Sequence, residues 1–288
     1  MAGKVLSVVN MKGGVGKTST VIALAETLAT DPACSVLVID VDTQANASYC
    51  IAGDSALTEI IKSDKTIDDF FYWRLVENDR RSIEPYINEN ISLVTHLNRP
   101  LKISLLASSP YLRITEREII YNLTTRNLSM EAIEGRTVNL LTPMMDQLRQ
   151  SYDYIIFDCA PGISAFTTAA MMISDHIVVP TIPDFLSTLG VAAFTASILK
   201  EIRQKRPELS ANVLIARKNN TRHHAQYHNI IIDKAKLSSG TFGVFDTVIP
   251  ESTAMAQAMN LIDGTYTQKY SKLSDVLSNL AAEIRGLK

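Results

Sequence analysis

An α/β fold, with a mostly parallel twisted sheet flanked by helices on both faces, is predicted by two features of the sequence. The first is a set of short apolar runs rich in β-branched residues, each too short for a helix. The second is the helical spacing of apolar residues in the stretches between those runs. Strands that alternate with helices form a parallel sheet covered on both faces. The predicted strands are 5–10, 36–40, 154–158, 176–180 and 212–216.

Helices are predicted between these strands. Residues 18–29 have apolar side chains every three or four positions, and a second long helix is predicted over 185–206. The stretch from about 53 to 130 is less regular and contains the only tryptophan of the chain. Because no linker, repeat or low-complexity tract interrupts the sequence, we expect residues 1–288 to form a single domain, with 53–130 as an elaborated region.

The loop after the first predicted strand has the composition of a phosphate-binding loop. It reads Gly13-Gly14-x-Gly16-Lys17-Thr18 and lies between a strand and a helix. Glycines let successive backbone N–H groups approach phosphate oxygens, and the helix N-terminus adds partial positive charge. Lys17 is placed to reach the β- and γ-phosphates, and Thr18 to offer its hydroxyl to Mg²⁺. We therefore predict a P-loop NTPase rather than a glycine-rich structural turn.

Polar residues stand at the carboxyl ends of three predicted strands. Asn10 precedes the phosphate loop, while Asp40 and Asp158 end the second and third apolar runs. Ligands of parallel α/β sheets bind at this edge. These three residues are therefore candidates for the chemistry of the site.

The segment KGGVGKT, residues 12–18, resembles the deviant Walker A motif of the ParA/MinD family of partitioning and positioning ATPases. Its mark is Lys12, a second lysine at the front of the loop. In that family two subunits sandwich two ATP molecules, and this lysine reaches the nucleotide of the neighbouring subunit. The resemblance implies an ATP-sandwich homodimer, in which Lys17 contacts its own ATP and Lys12 the other one. Taken alone, Lys12 would be better explained as a solvated surface charge.

Two further segments resemble motifs of the same family. VLVIDVDTQANAS, residues 36–48, is similar to the Asp-x-Asp-Pro-Gln motif, with Thr43 in place of proline. The resemblance implies that Asp42 orients the attacking water and that Asp40 lies near the Mg²⁺ shell. The alternative is that this pair caps the following helix. YDYIIFDCAPGIS is similar to the Walker B strand and its turn, which implies that Asp158 holds a Mg²⁺-bound water.

Weaker resemblances concern the base of the nucleotide. TVIPESTAMAQA is similar to the loop that covers adenine in relatives and includes Pro250, while LIARKNNTR includes Asn219 at a base-facing strand end. The cofactors implied are ATP and Mg²⁺. The residues implied in catalysis are Lys12, Lys17 and Asp42, and those at the metal are Thr18, Asp40 and Asp158. The residues implied in nucleotide binding are Lys12, Gly13, Gly14, Val15, Gly16, Lys17, Thr18, Ser19, Asn219 and Pro250.

The charge of the chain limits how it can bind nucleic acid. Its formal net charge is -2, so such binding needs a local basic patch rather than global attraction. Basic residues cluster in the second half, which favours DNA binding. The resemblance to nucleoid-binding ParA-like members implies that this binding is nonspecific and occurs in the ATP state. A solvated helix face is the alternative. These basic residues are Lys200, Arg203, Lys205, Arg206, Arg217, Lys218, Arg222, Lys269, Lys272, Arg285 and Lys288.

Membrane binding, as in MinD-like members, is the alternative to DNA binding. No apolar run approaches the roughly 20 residues of a membrane span, and no cleavable leader precedes the first strand. The apolar stripe of the last predicted helix lacks aromatic anchors, which favours packing in the core. We therefore expect a cytoplasmic protein without a membrane partner. The resemblance further implies that it is nucleoid-associated and that a ParB-like or cargo-adaptor protein stimulates its slow hydrolysis. The stripe consists of Leu273, Val276, Leu277, Leu280, Ile284 and Leu287.

Overall fold

The computed structural model describes residues 2–237 and 242–287. Its strands are β1 (Lys4–Val8), β2 (Val36–Val41), β3 (Ile87–Asn88), β4 (Val94–His96), β5 (Arg99–Pro100), β6 (Ile103–Leu106), β7 (Tyr154–Cys159), β8 (His176–Thr181), β9 (Ser210–Lys218), β10 (Gly243–Pro250) and β11 (Gly264–Thr265). Its helices are α1 (Lys17–Leu28), α2 (Asn46–Lys62), α3 (Ile67–Leu75), α4 (Leu112–Thr125), α5 (Met130–Leu148), α6 (Ala165–Ile173), α7 (Phe185–Phe194), α8 (Lys200–Lys205), α9 (Arg222–Leu237), α10 (Thr253–Asn260), α11 (Tyr266–Tyr270) and α12 (Ser274–Gly286).

A mostly parallel central sheet organises the chain. Over the described residues it has eight strands in the order β10-β9-β8-β1-β7-β2-β6-β3. The pairs are parallel except for β3 with β6, which is antiparallel. β1 lies between β7 and β8, so the loop after β1 opens at the middle of the carboxyl edge. This arrangement confirms the predicted fold class.

Helices cover both faces of the sheet because strand side chains alternate between two apolar cores. On β2, Leu37 and Ile39 point into one core, which α5 and α6 also line. Val36 and Val38 point into the other, which α1 and α12 line. A strand buried on both faces needs apolar residues at every position, which is why the sequence runs are uninterrupted rather than alternating.

The last helix packs against the helix of the phosphate loop. Leu277, Leu280 and Ile284 of α12 are buried in the same core as α1. The Nζ of Lys4 on β1 donates a hydrogen bond to the carbonyl of Arg285 at 2.9 Å, which satisfies part of the helix end. The prediction that the apolar stripe of this helix belongs to the core is confirmed.

Residues 53–130 contribute to the central sheet, although no strand of it was predicted there. β6 pairs in parallel with β2, and β3 pairs with β6 at the edge. β4 and β5 instead form a small separate sheet with β11. The position of β6 beside β2 matters for the site, because the carboxyl end of β6 lies next to the segment that carries Asp42.

The predicted helix over 185–206 is one continuous helical stretch, with a π-helical turn at Thr195–Leu199 between α7 and α8. Within the described residues, Phe185–Lys205 is the one stretch long and apolar enough to cross a membrane by length and composition. The expectation that no apolar run reaches such a length is therefore wrong. One such helix is weak evidence for a membrane span, because helices of soluble proteins meet the same criterion.

Candidate functional site

The phosphate loop adopts a backbone that its glycines make possible. It occupies the turn between β1 and α1, and Gly14 and Gly16 have φ angles of 74° and 95°. This left-handed region is costly for residues with a Cβ atom. Gly16 is also the N-cap of α1, so the loop ends directly at the N-terminus of that helix. The result is a cradle of backbone N–H groups at the positive end of a helix.

Asn10 anchors the start of the loop. Its Nδ2 donates to the carbonyl of Pro180 at 2.7 Å, and its Oδ1 accepts from the backbone N–H of Lys12 at 2.9 Å. The residue is buried. The polar residue expected at this strand end therefore fixes the loop to β8.

Lys17 is a buried cation at the first position of α1. Its Nζ donates to the carbonyl of Lys12 at 3.2 Å. Burial lowers the pKa of its ammonium group, while the nearby carboxylates of Asp158 and Asp42 oppose that effect. Both carboxylates thus lie close enough to act on the charge of the lysine.

Asp158 is a buried carboxylate with unused hydrogen-bonding capacity. It lies at the end of β7, in register with Asp40 on β2 and Val8 on β1. Over the described residues, neither of its side-chain oxygens has a hydrogen-bond partner. Burial and the neighbouring Asp40 raise its pKa well above the ordinary value, although Thr18 and Lys17 oppose the shift. A buried acceptor without a donor is expected where a ligand or cation completes the site.

Asp40 differs from Asp158 because its oxygens already accept hydrogen bonds. Oδ1 accepts from the backbone N–H of Asp42 at 3.0 Å. Oδ2 accepts from the N–H and the hydroxyl of Ser48 at 2.8 and 2.7 Å. Since Ser48 lies in the first turn of α2, Asp40 makes the helix-capping contact that was the alternative interpretation of the pair. Its place near a Mg²⁺ shell stays a prediction.

A cavity of about 940 Å³ opens above the phosphate loop. Asp42 lines it, and its Oδ1 accepts from the N–H of Gln44 at 3.0 Å. Apolar and small side chains of β10, α10 and the connection between them line the far end, and Pro250 is among them. The cavity wall thus combines charged and polar groups of the loop with less polar side chains, which is typical of small-molecule sites. The phosphate-loop residues on its wall are Gly13, Gly14, Gly16, Lys17, Thr18 and Ser19.

Arg217 belongs to this cavity, although the sequence placed it in the basic cluster. It lines the wall, and its Nη1 donates to the carbonyl of Gly14 at 2.9 Å. Its second terminal nitrogen lies 3.5 Å from Glu251 Oε1. Its φ of 53° is unusual for a residue with a side chain and is a sign of a functional constraint. Its position just past the predicted strand 212–216 was the signal available in the sequence.

Asn219 does not line the cavity in the described chain. Its Nδ2 lies 3.5 Å from Glu251 Oε2, and Glu251 itself is a lining residue. The backbone N–H of Glu251 donates to the carbonyl of Lys218 at 2.8 Å. Asn219 therefore reaches the site only through Glu251.

Lys12 also lies away from the cavity wall. Its Nζ lies 3.0 Å from the hydroxyl of Ser187 and 3.4 Å from Asp184 Oδ2. Asp184 is the N-cap of α7 and accepts from the N–H of Ser187 at 2.7 Å. In this single chain the extra lysine is held against the start of α7.

The basic cluster is less uniform than the sequence suggested. Lys269 is buried and forms an ion pair with Glu26, with 2.6 Å between Nζ and Oε1. The prediction that Lys269 belongs to a basic surface patch is therefore wrong. Arg206 hydrogen-bonds the carbonyls of Met172 and Ser174. Lys288 lies outside the described residues. The basic residues of the cluster with exposed positions are Lys200, Lys205, Arg217, Arg222, Lys272 and Arg285.

Comparison with known proteins places this geometry in a family. The family described as an AAA domain matches residues 3–211, which include the phosphate loop and both strands that carry aspartates. The sporulation initiation inhibitor protein Soj of Bacillus subtilis is 26% identical over 74% of this chain and 70% of its own length. The chromosome partitioning protein ParA of Myxococcus xanthus is 26% identical over 88% of this chain and 78% of its own. The chain belongs to the ParA/MinD family of ATPases.

Solved structures share the ParA/MinD fold with this chain. A variant of McdA from Cyanothece, in complex with ATP, has a TM-score of 0.70 at 17% identity, over 100% of this chain and 98% of its own. Cobyrinic acid a,c-diamide synthase from Mycobacterium smegmatis, with bound ADP and magnesium, has a TM-score of 0.68 at 19% identity, over 98% and 94% of the two chains. MinD of Pyrococcus furiosus has a TM-score of 0.65 at 19% identity, over 99% and 100%.

The residues predicted for a ParA/MinD site fall into three groups in the structure. Asp42, Pro250 and the residues of the loop from Gly13 to Ser19 meet at the cavity, except for Val15, which is buried and does not line it. Asp40 and Asp158 lie beneath it at the ends of neighbouring strands. Lys12 and Asn219 contact α7 and Glu251 instead. Sequence reasoning missed Arg217 and the two serines that contact the Asp40–Asp42 segment, Ser48 and Ser108.

Proposed function

We propose that the protein is an ATP-dependent dimerising ATPase that binds nonspecific DNA in the ATP state and partitions or positions a plasmid, chromosome or protein cargo. The observation that supports it most is that Lys17 and Asp42 line one cavity, while Asp158, whose oxygens have no hydrogen-bond partner among the described residues, lies close enough to act on the charge of Lys17. Membership of a family of partitioning and positioning ATPases supports the same proposal. We extend the proposal to residues 1–288 as a single domain.

ATP would bind with its phosphates in the cradle and its base at the apolar end near Pro250. Backbone N–H groups of the loop, the end of α1 and Lys17 supply donors and positive charge to the β- and γ-phosphates. Asp42 on the cavity wall would hold a water in line with the γ-phosphate, since phosphoryl transfer depends on positioning more than on covalent chemistry. Asp42 and Asp158 lie near Lys17 and favour its charged form, against the effect of burial.

Magnesium fits this site through Asp158 and Thr18. Over the described residues, no group of three or more His, Cys, Asp or Glu side chains has the arrangement of a protein-only metal site. A nucleotide-bound Mg²⁺ does not need one, because phosphates and waters supply most of its ligands. The unpartnered oxygens of Asp158 and the nearby Thr18 hydroxyl are suitable donors. When bound, the ion would neutralise charge on the β- and γ-phosphates.

A second copy of the chain is the proposed partner at α7. Phe185, Leu186 and Leu189 follow Asp184 and are 57%, 64% and 55% exposed. Clustered exposed apolar side chains are typical of association sites. Lys12 lies beside this surface, so contact with the γ-phosphate of a facing subunit would require it to leave Asp184 and Ser187. Dimerisation would thereby depend on bound ATP.

Replacing Lys12 by alanine should weaken the ATP-dependent dimer and its hydrolysis by about tenfold or more, equal to about 1.4 kcal/mol. Affinity for ATP should stay within about threefold, because Lys17 and the loop remain. Light scattering and phosphate release with ATP measure the two effects. Lys62→Ala, on the exposed part of α2, is the matched control. Lys17→Ala is the contrasting variant, because it should lose ATP binding itself. A normal dimer with unchanged turnover in Lys12→Ala would make Lys12 a bystander.

DNA binding should require ATP and should fall steeply with salt. If a dimer neutralises about four phosphates, raising salt from about 50 to 200 mM lowers affinity about a hundredfold. Retention on unrelated DNA fragments with ATP and with ADP measures this. Arg222→Ala, at the exposed start of α9, should reduce the salt slope, whereas Lys62→Ala should not. Equal retention with ADP, or a strong sequence preference, would contradict the proposal.

The MinD-like alternative is tested in the same experiment with anionic liposomes. The apolar stripe of α12 is packed in the core, while the stretch Phe185–Lys205 keeps exposed apolar residues at its start. ATP-dependent sedimentation with liposomes, without DNA retention, would favour the membrane-surface function. On the proposal made here, the protein is cytoplasmic and nucleoid-associated, and a ParB-like or cargo-adaptor protein stimulates its slow hydrolysis.

A further inference from the structure

The backbone of Asp42 is held on both sides by buried side chains. Its N–H donates to Asp40 Oδ1 at 3.0 Å. Its carbonyl accepts from the hydroxyl of Ser108 at 2.8 Å. Ser108 follows β6, the strand that pairs in parallel with β2. The segment that carries the proposed water-positioning carboxylate is therefore fixed from its own strand and from the neighbouring one.

The two holding groups are themselves joined through Ser48. The Ser48 hydroxyl donates to Asp40 Oδ2 at 2.7 Å and accepts from the backbone N–H of Ser108 at 2.9 Å. Asp40, Ser48 and Ser108 are each fully buried. Asp42, Asp40, Ser48 and Ser108 thus form a closed ring of hydrogen bonds, called here the Asp42 ring. Buried networks whose members are all paired hold their geometry tightly.

We propose that Ser108 is a positioning residue for Asp42, acting through the Asp42 ring; this inference rests on the proposed ATP hydrolysis. Ser108 is not among the cavity-lining residues, so it has no contact through which to bind the nucleotide directly. Its effect is to fix where the Asp42 carboxylate stands. A displacement of about 1 Å of a catalytic group lowers rates by about a hundredfold in sensitive cases. Ser108→Ala removes only one hydrogen bond of the four-residue ring, so the hydrolysis rate should fall less, by about tenfold.

The chain offers a matched control in the next residue. Ser109 is also buried, and its hydroxyl donates to Asp68 Oδ2 at 2.8 Å. That hydrogen bond joins the end of β6 to α3 and does not involve Asp42. The Ser109 hydroxyl also accepts from the backbone N–H of Tyr111 at 3.0 Å. Ser109→Ala therefore removes at least as many hydrogen bonds of a buried hydroxyl as Ser108→Ala, but only Ser108→Ala opens the Asp42 ring.

The experiment measures single-turnover hydrolysis of saturating Mg-ATP and, separately, the Kd of a fluorescent ATP analogue. Ser108→Ala should lower the hydrolysis rate about tenfold with Kd within about twofold of wild type. Ser48→Ala should show the same separation of rate from affinity. Ser109→Ala should keep both values within about twofold. In an Asp42→Ala background, Ser108→Ala should cause no further loss, because the group it positions is absent.

Three outcomes would overturn this inference without affecting the proposed role of Asp42. The first is an unchanged hydrolysis rate in Ser108→Ala and Ser48→Ala while Asp42→Ala abolishes turnover. That result would leave the proposed function intact. Another is an equal rate loss in Ser109→Ala, which would indicate general loosening of this edge. The third is a further tenfold loss in the Asp42→Ala background. If Asp42→Ala hydrolyses ATP at the wild-type rate, the proposed role of Asp42 fails as well.

Discussion

Asp42→Ala is expected to bind ATP with Mg²⁺ and lose at least about a hundredfold in hydrolysis, which corresponds to about 2.7 kcal/mol of transition-state stabilisation. The carboxylate lines the cavity, whereas the phosphate loop and Lys17, which are proposed to bind the nucleotide, belong to another element. If ATP favours the dimer, as proposed, and is no longer consumed, the variant should accumulate as a dimer and stay on DNA. Gel filtration after incubation with ATP, with phosphate release in parallel, measures both effects.

Asp158→Ala is the contrasting variant for this experiment. It removes the carboxylate whose oxygens have no hydrogen-bond partner in the described part of the chain, so it should weaken Mg²⁺-dependent ATP binding rather than hydrolysis alone. A monomeric Asp42→Ala protein, or one with the turnover of wild type, would mean that another group holds the water. Asp40, which lies on β2 two residues before Asp42, is the next candidate.

Lys269→Met should destabilise the fold by about 3–5 kcal/mol. Lys269 and Glu26 are 1% and 2% exposed and 2.6 Å apart. Removing the lysine leaves a buried carboxylate without its partner, which costs more than the ion pair contributes. Urea unfolding followed by circular dichroism measures the loss. Lys272→Met, an exposed position three residues away, should change stability by about 0.5 kcal/mol or less.

The pH dependence of Lys269→Met follows from the same pair. Burial already raises the pKa of Glu26 above its ordinary 4.5, and Lys269 opposes that shift. Without Lys269 the folded-state pKa rises further, so the folded protein binds a proton more readily than the unfolded chain. The loss of unfolding free energy in Lys269→Met should therefore shrink as pH falls from neutral towards 4.5 and grow as pH rises. Adding Glu26→Gln should recover much of the loss at neutral pH, and no recovery would contradict the ion-pair explanation.

Local spacing explains what could be predicted from the sequence. The central strands, α1 and the phosphate loop are each marked by residues within about ten positions of one another, so pattern and structure agree there. The capping alternative for Asp40 was also readable, because Ser48 follows it closely in the chain.

Distant pairing explains what could not be predicted. Ser108 meets Asp42 only because β6 joins the sheet beside β2, and the irregular composition of 53–130 gave no sign of that pairing. Lys269 appeared as one more surface cation because its partner lies 243 residues away. Arg217 appeared as part of a basic run because its left-handed backbone, which turns it towards Gly14, leaves no mark in composition.

The packing of α12 on α1 has a consequence for synthesis of the protein. The apolar side of α1 packs against Leu277, Leu280 and Ile284. Glu26 of the same helix forms its ion pair with Lys269. During translation the phosphate loop emerges early, but the residues that cover its helix emerge more than two hundred positions later. Contacts of such long range form late and slowly. A nascent chain on the ribosome would therefore expose the underside of α1 and depend on chaperones, and it would acquire nucleotide affinity only near release.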